Sequence, residues 1–398
     1  MPSVLMRKSP LQGTRMLMGV LLTLCTLFLG GCLGTGEERS TVENPPRKGE
    51  GQSSAGATTH VPLPAAPSQI PRSDAVVPTQ TKEEHPFPSP GPVKGRVGDE
   101  RLAKLQAGPH IASRDGKGVW AESITGYATP AEYLGIESRH IPTAVVAVML
   151  PVDYQTATDK EYPLVIAFGG AGECAKAPRQ GALAWMHYYR SDEAVRALGN
   201  GELTPRDFRG LVTPQTLAVF NQRLRDRPYH GVILACPASP LLSIGARPEF
   251  PEYEAFIVHE LIPALMRRYR VAPGRIGIDG VSMGGTRSMY YGFKYPELFS
   301  SIGSVQGAFG GVLEIYRELI RKNKTVLKER AIQLVTSDGD VMAPSVERLH
   351  DILREEGIPH SYLKLTGPHD YVFNQGPGTL SLLLFHSQAL PPPLVPNP

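Results

Sequence analysis

The sequence predicts an α/β domain in which a mostly parallel sheet is covered by helices on both faces, and three observations predict it. Short, almost uninterrupted apolar runs recur at 144–150 (AVVAVML), 163–168 (PLVIAF), 231–235 (GVILA), 275–279 (RIGID) and 331–335 (AIQLV). Strands buried on both faces read this way, whereas strands with one wet face alternate. Helix-period segments lie between the runs. Residues 256–269 (FIVHELIPALMRRY) keep apolar side chains at helical spacing, and 345–355 (SVERLHDILRE) repeat Val346, Leu349, Ile352 and Leu353. Strands alternating with helices imply parallel pairing with crossovers. The third observation is one block, 275–285 (RIGIDGVSMGG), that reads as a buried strand, a tight turn and a helix start, with Ser282 at the apex.

The chain of 398 residues opens on a segment outside this domain. Arg7, Lys8 and Arg15 precede an apolar run, 16–29, that is too short for a comfortable membrane span and is closed by Gly30, Gly31 and Cys32. This is the layout of a secretion signal. Its end resembles the lipobox of bacterial lipoproteins, where the cysteine thiol receives a diacylglyceryl group and becomes the new N-terminus. The expectation is a lipoprotein signal peptide over 1–31 and lipidation at Cys32, with acyl chains holding the protein on the bacterial cell envelope. Leu33 after Cys32, where Asp is absent, favours the outer membrane by resemblance to enterobacterial sorting. An ordinary signal peptide with an incidental cysteine, or an uncleaved anchor, is the alternative. Residues 32–105 are rich in Pro, Ser, Thr, Gly and charge without apolar clustering, so they are expected to be a disordered, fairly extended tether.

The α/β domain is expected over 106–390, followed by a Pro-rich tail at 391–398. The formal charge of +3 is matched by Arg7, Lys8 and Arg15 alone, which leaves the mature chain near neutrality and argues against a nucleic-acid partner. Toward the C-terminus, 361–365 reads as a last strand and 379–390 as a closing helix. The stretch 174–230 is longer than a crossover needs and carries Trp185, Tyr188, Tyr189 and Phe220, which makes it the candidate lid or specificity region. Two of the four cysteines, Cys174 and Cys236, fall in the domain. Both lie near the ends of strands expected to be neighbours. A disulfide between them and a pair of buried free thiols are the two readings, because sequence does not supply the distance a bond requires.

Ser282 is bracketed by Gly280 and Gly284 in the pattern GxSxG. A strand that turns sharply into a helix brings main chains too close for side chains on the flanks, and glycine removes the collision. The hydroxyl then projects at the carboxyl edge of the sheet beside unpaired helical N–H groups. A serine hydroxyl is a weak nucleophile, so it needs a histidine as base and a carboxylate to orient that histidine. In this architecture the order is Ser, acid, His. TSDGD after the run at 331–335 offers Asp338 and Asp340, and TGPHDY after the last strand offers His369. His350, His360 and His386 sit where a structural or solvated role fits better, and Asp370 is expected to accept a loop hydrogen bond. An oxyanion needs two donors. The Met283 N–H follows the nucleophile, and the turn at 169–172 after the 163–168 strand offers Gly170.

The block HELIPALMRRYRVAPGRIGIDGVSMGGTRSMYYGFKYPELFSSIGSVQGAF resembles the esterase branch of the α/β-hydrolases, which includes feruloyl and acetyl esterases, enterochelin esterases, S-formylglutathione hydrolases and mycolyltransferases. The resemblance runs from about His140 to His386. It implies Ser282 as nucleophile, His369 in Gly-Pro-His-Asp as base, and Asp340 rather than Asp338 as the acid. Phe168-Gly169 stands where that branch usually has His-Gly. The implied activity is a serine esterase without metal or cofactor, acting on small-molecule or polysaccharide-linked esters such as acyl or feruloyl groups. An acyltransferase using the same triad and a surface binding protein on a hydrolase scaffold are the alternatives.

Overall fold

The computed structural model describes residues 119–142, 144–241 and 249–390. The expected signal peptide, the Cys32 lipidation site, the tether and the tail at 391–398 lie outside the described residues. The strands are β1 (Val119–Ser123), β2 (Ala131–Ile136), β3 (Val145–Met149), β4 (Tyr162–Phe168), β5 (Ile233–Pro237), β6 (Val271–Gly280), β7 (Ser301–Val305), β8 (Ala331–Gly339) and β9 (Ser361–Pro368). They form one nine-stranded sheet in the order β1-β2-β3-β5-β4-β6-β7-β8-β9. Pairing from β1 to β5 is antiparallel, and from β5 through β9 it is parallel. The sheet is therefore mostly parallel at the site and antiparallel at its N-terminal edge. β1 and β2 carry no long apolar run, which is why periodicity did not reveal them.

The helices that cover the sheet are α1 (Ser191–Gly199), α2 (Pro214–Asp226), α3 (Ile262–Arg268), α4 (Met283–Lys294), α5 (Leu313–Lys322), α6 (Ala343–Glu355) and α7 (Thr379–Ala389). Successive strand side chains point to opposite faces, so β4 sends Leu164, Ile166 and Phe168 into one core and Val165 and Ala167 into another. The first core is closed by α3 to α6, through residues such as Leu265, Met289, Tyr316 and Leu349. The second is closed by α1, α2 and α7, through Leu198, Phe220 and Leu383. Both faces of the central strands are thus dry, as their unbroken apolar runs require.

Local departures have identifiable causes. The expected helix over 256–269 opens as a wide π turn at Phe256–Leu261 and becomes α3 only from Ile262. Pro263 lies in the first turn of α3 and has no N–H to give to an i−4 carbonyl, so the ladder is interrupted there. The segment 174–230 packs into the second core, with Trp185, Tyr189, Phe208 and Phe220 buried, rather than standing off as a detached lid. Cys174 and Cys236 are both free, so the disulfide reading is corrected. Cys174 Sγ lies 3.4 Å from Arg287 Nη1 and 3.8 Å from the Gly169 carbonyl, while Cys236 is buried in the second core.

Candidate active site

β4, β6, β8 and β9 run parallel, so the residues that follow them emerge at one edge of the sheet. Ser282 comes just after β6 and Met283 begins α4. Ser282 is held at φ 55° and ψ −117°, a left-handed conformation that costs a side-chain-bearing residue about 1–3 kcal/mol and persists only when its surroundings enforce it. Three backbone hydrogen bonds help to enforce it here. Ser282 N–H donates to the Val305 carbonyl at 2.9 Å, and its carbonyl accepts from Thr286 N–H at 3.1 Å and Ala308 N–H at 3.2 Å. The flanking glycines are obligatory: a Cβ on Gly280 would lie 2.3 Å from the Gly284 carbonyl carbon, and one on Gly284 would lie 2.5 Å from the Phe168 carbonyl oxygen.

The structure brings His369 to Ser282 from 87 positions away, with Nε2 3.1 Å from Ser282 Oγ. His369 Nδ1 lies 2.7 Å from Asp340 Oδ1. A bulge between Ser337 and Gly339 separates the two candidate acids. Asp338 is left exposed, accepting from Gly367 N–H at 2.9 Å, while Asp340 turns inward to the imidazole. Asp340 Oδ1 also accepts from Met342 N–H at 2.8 Å, and Oδ2 from Thr336 Oγ1 at 2.7 Å. Burial pushes the Asp340 carboxyl up, but the hydrogen bonds from His369, Thr336 and Met342 outweigh it and hold the group below its ordinary value. The order serine, imidazole, carboxylate at these distances is a proton-relay geometry.

On the other side of Ser282 lies the turn after β4. A Cβ on Gly170 would be 3.7 Å from Ser282 Cβ, so this turn abuts the nucleophile. The Gly170 N–H donates to Tyr189 Oη at 3.0 Å. Met283 is the first residue of α4, where helical N–H groups have no intrahelical acceptor.

The other histidines are packed elsewhere. His350 Nδ1 and His360 Nε2 lie 2.7 Å apart, and burial lowers the His360 pKa to about 4. His386 is sealed beneath β6, with Nε2 3.0 Å from Asp279 Oδ2 and Nδ1 2.7 Å from Ser301 Oγ. That cluster repeats the three residue types of the site without any access to solvent. Asp370 accepts from Phe373 N–H at 3.0 Å and caps a short helix. Sequence reading gave no role to Gln306, Thr336, Glu173 or Tyr371, and named Tyr189 only among the aromatics of the candidate lid region. Gln306 Nε2 donates to the Pro368 carbonyl at 3.0 Å and to Ser337 Oγ at 2.8 Å, tying the loop before His369 to β8. Thr336 and Tyr371 stand inside the TSDGD and TGPHDY segments and Gln306 in the block that follows the elbow, but only contacts reveal a role for any of the five.

Residues 236–326, which include the elbow, match the model of the putative esterase family. No curated protein matches the chain significantly. Among solved structures, a ferulic acid esterase aligns with 67% of this chain and 100% of its own at 15% identity and a TM-score of 0.49. An S-formylglutathione hydrolase from Agrobacterium tumefaciens covers 68% of this chain and 99% of its own at 15% identity, TM-score 0.46. A ferulic acid esterase from Anaeromyces mucronatus, solved with ferulic acid, covers 69% and 94% at 18% identity, TM-score 0.40. The family match thus runs from the end of β5 past α5 and holds the strand, turn and helix that carry Ser282.

Proposed function

We propose that the protein hydrolyses carboxylic esters through an acyl-enzyme formed on Ser282. His369 Nε2 takes the Ser282 proton as Oγ attacks the ester carbonyl, then returns it to the leaving alcohol, and Asp340 orients the imidazole and stabilises its cationic form. The Met283 and Gly170 N–H groups receive the developing oxyanion. Water then enters the same cycle and releases the acid. The observation that carries this reading is the continuous contact from Ser282 Oγ to His369 at 3.1 Å and on to Asp340 at 2.7 Å. Ser282→Ala is expected to lower turnover of a short p-nitrophenyl ester by up to about 10⁶-fold, the scale seen when a triad member is lost. Unchanged turnover in that variant removes Ser282 from the chemistry.

The setting is proposed from sequence. Lipidation at Cys32 tethers the enzyme to the cell envelope, at the outer membrane, and the long polar segment that follows carries the catalytic domain away from the lipid surface. A tethered enzyme suits a large substrate, and esters on polysaccharide, acyl or feruloyl, are the proposed class.

A further inference from the structure

Three side chains beside the oxyanion turn take no part in the triad. Glu173 is 3% exposed and accepts hydrogen bonds from two tyrosines: Tyr189, 1% exposed, donates to Oε2, and Tyr371 donates to Oε1 at 2.5 Å. With its proton committed to Glu173, the Tyr189 oxygen is left as an acceptor, and the Gly170 N–H uses it. Burial, with the Glu173 charge, pushes the Tyr189 hydroxyl well above its ordinary range, so the phenol keeps its proton. Glycines at 169 and 181 leave room for the backbone and Cβ of Glu173. A Cβ on Gly169 would lie 3.0 Å from Glu173 Cβ, one on Gly181 would lie 2.8 Å from the Glu173 carbonyl oxygen, and one on Gly170 would lie 3.5 Å from Oε2. Tyr371 stands two residues beyond His369, so one carboxylate joins the oxyanion turn to the loop that carries the base.

We propose that Glu173, Tyr189 and Tyr371 are positioning residues for ester hydrolysis, holding the turn that carries the Gly170 N–H in place beside Ser282 and fixing it relative to His369. In the resting enzyme the N–H is satisfied by a neutral phenol oxygen. When the carbonyl becomes tetrahedral, the oxyanion becomes a second, charged acceptor that shares this N–H with the neutral phenol, and the charged contact is the stronger of the two. The selective gain in the transition state is what raises turnover rather than substrate binding.

The inference rests on the triad reading and is tested beside it. Full-length Tyr189→Phe, Glu173→Gln and Tyr371→Phe are compared with the unsubstituted protein for kcat and KM on a short p-nitrophenyl ester, and for affinity toward a boronic acid that forms a tetrahedral adduct on Ser282. Tyr189→Phe is expected to lower kcat about tenfold or more, with KM within about twofold and boronic-acid affinity falling in step with kcat/KM. Glu173→Gln replaces one of the two carboxylate oxygens that the tyrosines use by an amide nitrogen, which donates rather than accepts, and it follows the same split. Tyr371→Phe, at a position 44% exposed where folding is insensitive to a lost hydroxyl, gives a smaller loss of the same kind. An unchanged or raised kcat in Tyr189→Phe overturns the proposal, as does a loss confined to KM or an unaltered boronic-acid affinity. If Tyr189→Phe does not fold, the other two variants decide by the same criteria. Failure of a fluorophosphonate to label Ser282 in the unsubstituted protein is a separate outcome, which overturns the proposed function and this inference with it.

Discussion

Asp340→Asn probes how firmly the acid is held. In the native site Oδ1 accepts from His369 Nδ1 at 2.7 Å and Met342 N–H at 2.8 Å, and Oδ2 accepts from Thr336 Oγ1 at 2.7 Å. An amide has only one oxygen. The Met342 N–H can only donate, so it selects that oxygen for the Oδ1 position, while the Thr336 hydroxyl can rotate to accept from the amide nitrogen. The imidazole therefore keeps its acceptor and tautomer and loses only the negative charge. Two unit charges at 2.7 Å interact by about 6 kcal/mol at an effective dielectric of about 20. The His369 side chain is 20% exposed, and solvent screening to about half leaves about 3 kcal/mol, or about a hundredfold in kcat/KM. Asp340→Ala removes acceptor and charge together and is expected near the roughly 10⁴-fold loss that follows a misoriented imidazole. Both are read from initial rates on a short p-nitrophenyl ester. An Asn variant as impaired as the Ala variant refutes the orienting role of Met342 and Thr336. Losses below about tenfold in both remove Asp340 from the relay.

The remaining expectations concern stability. His386→Ala leaves the Asp279 carboxyl buried with only the Gly280 N–H at 2.6 Å, and removing one partner of such a buried pair costs about 3–5 kcal/mol. The cost is measured as a fall in the urea midpoint at constant slope, and Asp279→Asn in the same background should recover part of it; a shift worth less than about 1 kcal/mol contradicts the pairing. Asp340 has a folded pKa below its ordinary value, so it stabilises the fold above the unfolded pKa of about 3.9, and that contribution is lost as pH falls through the folded value. The stability gap between the unsubstituted protein and Asp340→Asn should accordingly narrow on acidification below about pH 4, and a gap independent of pH contradicts the assigned hydrogen bonds.

The central strands, the elbow and the loops that offer an acid and a histidine were legible because each leaves a local trace: dry strands are continuously apolar, a sharp strand-to-helix turn demands glycine at fixed offsets, and the loops follow the runs at 331–335 and 361–365. The hairpin strands β1 and β2 were not, since a sheet edge with exposed positions needs no apolar run. Whether Asp338 or Asp340 faces the imidazole depends on a bulge, which exists only where β8 meets β9. The fate of Cys174 and Cys236 likewise turned on a distance between segments. Glu173, Tyr189 and Tyr371 are ordinary residues in sequence and become a unit because the segment just before α1, the turn after β4 and the loop after β9 converge. Sequence by itself determined which elements form and which residue types stand at their ends, because those follow from short-range sterics and burial. Only the tertiary structure decided which of those ends meet, because contact between residues far apart along the chain is a property of packing.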